Sequence, residues 1–101
     1  MVMKRVTFSR SAHVQWQGDV ARGSGIARAD SGAFETAVTF PMLRGEADGT
    51  TTPEELLAAS HATCYAIGLR SVLARHGGSA SRLTVTATVT GCGQDRVELR
   101  R

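Results

Sequence analysis

Apolar and polar side chains alternate with a period of two through roughly the first 40 residues, the signature of strands with one face covered. Val6 and Phe8 open one candidate strand, and the run Ala12–Gln17 (A-H-V-Q-W-Q) makes a clearer one, closed by the turn chemistry of Gly18-Asp19. A further strand is expected over Ser24–Ala29. Asp30-Ser31-Gly32 then turns the chain into an alternating stretch over residues 34–40, with apolar residues at 34, 38 and 40. This pattern predicts an antiparallel sheet of about three strands.

The rhythm changes after Pro41. Residues 41–51 read as a loop, and Thr52-Pro53-Glu54-Glu55 then spells a helix start: a threonine N-cap, a proline whose missing N–H costs nothing in the first turn, and a T-x-x-E capping box. Glu54 and Glu55 suit the positive end of the helix dipole, while Arg75 and His76 suit the negative end before Gly77-Gly78 stops the helix. The expected helix, 52–76, is about 36 Å long, and Gly68 is the place where a break is expected. Residues 82–90 again alternate strictly, with Leu83, Val85, Ala87 and Val89 on one face. Beyond them a glycine-rich turn around Cys92 leads to a short charged stretch that pairs as one further strand or frays. The reading is a single α+β domain over 1–101: a β-meander (5–40), a loop (41–51), one long central helix (52–76) and a strand region (82–101).

Composition narrows the function classes. A chain of 101 residues forms one domain that buries roughly two thirds of its unfolded surface, so help from a partner subunit is reasonable. Twelve basic and nine acidic residues give a net charge of +3, the basic ones all arginine except Lys4 and scattered along the chain, which leaves no nucleic-acid footprint. Two cysteines, Cys64 and Cys92, without a signal peptide point to the cytosol, where thiols stay reduced. Their spacing fits no zinc site. The uncharged run 56–69 is too short for a bilayer and reads as a buried helix, so no membrane role is expected.

The candidate chemistry centres on Cys64. A cysteine in an uncharged helix is most often a small buried hydrophobe, and it becomes a nucleophile only where a positive charge or helix N-terminus favours its thiolate. His61 lies three residues earlier on the same helix face, and as a metal half-site the pair lacks further ligands. Arginine is the better activator, with permanent charge and forked donors for both a thiolate and a peroxide oxygen. Arg22 and Arg44 both precede the helix and are both candidates, although an exposed arginine needs no function. Glu54 would hold such a guanidinium by a charge-assisted contact, or serve simply as a first-turn residue. On one straight helix Glu54 and Cys64 stand about 15 Å apart and off the same face, so sharing a site requires a bend or a second chain.

The segment T-P-E-E-L-L-A-A-S-H-A-T-C-Y-A, with A-H-V-Q-W-Q-G-D-V-A-R-G-S-G upstream and L-A-R-H-G downstream, resembles the OsmC/Ohr family of thiol-dependent hydroperoxide reductases, closer to the OsmC branch. The resemblance covers roughly residues 12–89. It implies an intertwined α+β homodimer with sites at the interface and a role in oxidative and osmotic stress defence. Cys64 would be the peroxidatic thiolate, Glu54 the holder of the arginine, and Arg22 or Arg44 that arginine. It also implies an organic hydroperoxide substrate, no cofactor, an external thiol or lipoyl-type reductant, and a cytoplasmic setting. Family members continue into a second long helix with a resolving cysteine. That helix is missing here and Cys92 matches no family position, so the expectation is a truncated or frame-disrupted member. Such a chain works with an external resolving thiol or, alternatively, is a non-catalytic remnant that only dimerises.

Overall fold

The computed structural model of the protein describes residues 5–40, 49–78, 82–93 and 97–100. Three strands, β1 (Ala12–Gln17), β2 (Ser24–Ala29) and β3 (Glu35–Val38), form an antiparallel meander in chain order. One helix, α1 (Pro53–Arg75), follows, and a hairpin of β4 (Thr90–Gly93) and β5 (Val97–Arg100) completes the described chain. The architecture is α+β, as the alternation and capping signals predict. β1 and β2 have the expected bounds and β3 is shorter than 34–40. Residues 5–10 are not a strand, and Val6 and Phe8 stand well exposed, with the Arg10 guanidinium over the Phe8 ring.

The register gives the meander two unlike faces. Ala12, Val14, Trp16, Gly25, Ala27, Ala29, Thr36 and Val38 share one, and His13, Gln15, Arg28 and Glu35 lie on the other. On the polar face Arg28 pairs with Glu35 and bonds Gln15, while His13 reaches Asp30. The apolar face is only partly covered: Ala27 and Val38 are buried, yet Val14 is 59% exposed.

Helix α1 begins as its sequence dictates. Thr52 is extended at φ −134°, and its hydroxyl accepts the Glu55 N–H at 3.2 Å. The capping box is half realised, because the Glu55 carboxylate accepts from the Thr51 hydroxyl (2.8 Å) rather than turning back to Thr52. At the other end Gly77 takes φ +77°. Its N–H bonds Ala74 O and the Gly78 N–H bonds Leu73 O, a Schellman closure that an L side chain at 77 would strain. The helix runs unbroken through Gly68.

The expectation of a buried helix is corrected. No residue of α1 is buried, Leu57, Tyr65, Ile67, Leu69 and Val72 are exposed, and the helix makes no substantial packing contact with either sheet. The reason lies in what one chain offers: the meander's apolar face and the helix's apolar surface do not meet within it. By length and composition α1 is also long and apolar enough to cross a membrane, a property it shares with helices covered on all sides by protein. Ser60, His61 and Thr63 near its centre favour the second description, although the Thr63 and Ser71 hydroxyls bond back to Ala59 O and Ile67 O.

Two further corrections concern the C-terminal region. Residues 82–89 are not a strand, although their exposure alternates, with Leu83, Val85, Ala87 and Val89 half-buried. A strand needs a ladder partner, and among the described residues none lies beside them. Cys92, expected in a turn, belongs to β4 opposite Glu98. Strand pairing there overrides the turn-like composition of Gly91-Cys92-Gly93.

Candidate functional site

The return of the chain from the meander fixes the start of α1. Thr51 forms a parallel bridge with Val38, its N–H bonding Ala37 O and its carbonyl receiving the Thr39 N–H. The hydroxyls of Thr39, which is buried, and Thr50 meet at 2.7 Å. The N-terminus of α1 is thereby tied to the edge of the sheet, and Glu54 lies in the first turn beside that tie.

Glu54 is half-buried, and its Oε2 is fully screened from solvent without a hydrogen-bond partner. A screened polar oxygen is ordinarily hydrogen-bonded, so a donor fits at this position. No ion pair joins Glu54 to Arg22. The other candidate arginine, Arg44, lies outside the described residues.

Cys64 is a free, exposed thiol ten residues further along the same unbroken helix. His61 is exposed three residues before it, and neither ring nor thiol has a hydrogen-bond partner among the described residues. The helix is continuous from Pro53 to Arg75, and along it Glu54 and Cys64 lie about 15 Å and about 80° apart around the axis. A site containing both takes one of them from another chain. No group of three metal-ligating side chains occurs among the described residues.

Arg22 lies in the six-residue link between β1 and β2, exposed to solvent. Sequence reasoning found it but missed its supports. The Trp16 indole N–H is shared between Gly18 O (3.1 Å) and Asp19 O (3.2 Å), and Asp19 Oδ1 accepts the Arg22 N–H at 2.7 Å. The available signal was an aspartate three residues before the arginine, at the spacing of a side-chain-capped turn.

A meander tied to a capped helix that carries one accessible thiol defines a thiol-bearing α+β protein. The profile of the family described as OsmC-like protein matches residues 45–100. The chain is also 31% identical over 85 residues to the proteins named Peroxiredoxin OsmC of Escherichia coli (strain K12) and of Shigella flexneri, an alignment covering 84% of this chain and 59% of each relative. The chain therefore belongs to the OsmC-like family, and it spans about three fifths of the length of these curated relatives.

Proposed function

We propose that this chain carries the peroxidatic half of a thiol peroxidase acting on organic hydroperoxides, with Cys64 as the reacting thiol. The observation that carries the reading is Glu54 Oε2, screened and unpaired on the same helix as the accessible Cys64, in a family whose curated relatives are named peroxiredoxins. A carboxylate left waiting for a donor fits a guanidinium brought by Arg22 or Arg44. The arginine's remaining donors then face the thiolate and the peroxide.

In the reaction the Cys64 thiolate attacks the distal peroxide oxygen. An S–O bond forms as the O–O bond breaks, and the alkoxide takes a proton and leaves as the alcohol. Cys64 is left as a sulfenic acid. An external thiol condenses with it, releasing water and forming a mixed disulfide, and a second thiol, or the second sulfur of a lipoyl-type dithiol, frees Cys64. No cofactor is required. Cys92 is given no step. The setting is a reducing compartment such as the cytosol.

The active unit is a homodimer. The chain exposes 8812 Å², whereas a folded monomer of 10.7 kDa exposes about 5,500 Å². The excess of roughly 3,000 Å² per chain, about 6,000 Å² for a pair, reaches the upper end of obligate interfaces. A second copy offers the covering that α1 and the Val14 face lack, and brings one chain's Glu54 or arginine to the other's Cys64.

The test is the rate of Cys64 oxidation by cumene hydroperoxide at pH 7 in a Cys92→Ser background, with sulfenic acid trapped for mass spectrometry. The expected result is rapid oxidation that falls at least tenfold in Glu54→Ala. Oxidation no faster than that of a free thiol would leave only a dimerising module and end the enzymatic reading.

A further inference from the structure

The link between β1 and β2 is held far more firmly than a surface connection of its length requires. Its backbone enters at Gly18 with φ +92°. Asp19 then acts twice: its carbonyl accepts the Gly23 N–H (2.8 Å) and shares the Trp16 indole N–H, while its carboxylate accepts the Arg22 N–H. Gly23 closes the turn so tightly that a Cβ there would overlap the carbonyl oxygens of Gln17 and Asp19. The side chains exposed at the tip are Asp19, Val20, an aliphatic residue 61% exposed, and Arg22. In a chain whose helix makes no substantial contact with either described sheet, this is a locally complete structure with one cation near its end.

Immobilising the backbone of an arginine limits where its guanidinium can reach. A cation that serves a reacting thiol must be placed to within a fraction of an ångström, and a loose hairpin link would not do this. We propose that Asp19 is the positioning residue of the peroxide site, acting through Arg22, with the Trp16 indole as its brace. Asp19 touches no substrate. It holds the Arg22 backbone, which narrows the region from which the guanidinium reaches the Cys64 thiol of a second copy. Trp16 couples the turn to the apolar face of the meander, since its ring lies on that face while its N–H grips the turn. This proposal rests on the reading of Cys64 as the peroxidatic thiol, and it assigns the arginine to Arg22.

The experiment uses the full chain with Cys92→Ser and follows single-turnover oxidation of Cys64 by cumene hydroperoxide, with folding checked by circular dichroism. Asp19→Ala is expected to slow oxidation about tenfold, a part of the roughly hundredfold cost of a 1 Å misplacement. Asp19→Asn keeps an oxygen acceptor for the Arg22 N–H and is expected to stay within about twofold of the parent, a rescue that loss of charge alone would not allow. Arg22→Ala is expected to be at least as slow as Asp19→Ala, and the double variant no slower than Arg22→Ala. If Asp19→Ala unfolds, Trp16→Phe, which removes only the indole N–H, takes its place in the same cycle. A slow Arg22→Ala beside an Asp19→Ala at the parent rate overturns the positioning role and leaves the peroxidase reading intact. Additive losses in the double variant also overturn it. A parent protein that oxidises no faster than a free thiol brings down the underlying reading instead.

Discussion

Individual residues divide between those whose role is visible in the chain alone and those that wait for something else. Gly77 is of the first kind: at φ +77° it lets two amide groups close the end of α1, and Gly77→Ala is expected to destabilise the protein by about 1 kcal/mol, measured as a lowered denaturation midpoint at unchanged slope. Glu54 is of the second kind. Its spacing in P-E-E named it as a candidate, but its screened and unpaired oxygen became visible only with the backbone in place. Cys64 was legible for the opposite reason: a lone thiol in a patterned helix stands out in the sequence, and the structure adds that it is exposed. The supports of Arg22 were hidden, because a shared indole donor and an aspartate capping a turn leave little trace in hydropathy or periodicity.

At the scale of elements, the sequence was readable wherever short-range chemistry decides the outcome. β1, β2, the threonine cap and the glycine stop fall where turn and capping residues put them, since each depends on neighbours within a few positions. Thr52→Ala is accordingly expected to cost about 1 kcal/mol, with loss of helicity confined to the first turn, as amide exchange at Glu54 and Glu55 would report. The misreadings share another cause, which is dependence on a distant partner. Residues 82–89 have the alternation of a strand without a neighbour to pair with among the described residues, and β4 has a neighbour despite a composition that suggests a turn. Half of the capping box went astray in the same way, because Thr51, held by the sheet, offered Glu55 a nearer donor.

The whole molecule is longer and thinner than a self-sufficient domain. Its radius of gyration is 17.5 Å, against about 13 Å for a compact chain of this length. Such a shape fits a subunit that finds its core in company. Sedimentation is expected to give a species of twice 10.7 kDa at micromolar concentration, and the melting temperature is expected to rise with protein concentration. A monomer with a concentration-independent melting temperature would remove the homodimer from the proposed function. The tie between Thr51 and Val38 has a consequence of its own. It makes α1 a lever pivoted at the sheet's edge, with the sulfur of Cys64 about 18 Å from the fulcrum. A tilt of about 5° at those threonines would sweep the sulfur through roughly 1.6 Å, more than the roughly 1 Å misplacement that can cost an enzyme a hundredfold in rate. Thr39, Thr50 and Thr51 lie far from Cys64 along the chain, and yet on the proposed reading the direction in which α1 carries that thiol is set in their hydrogen bonds.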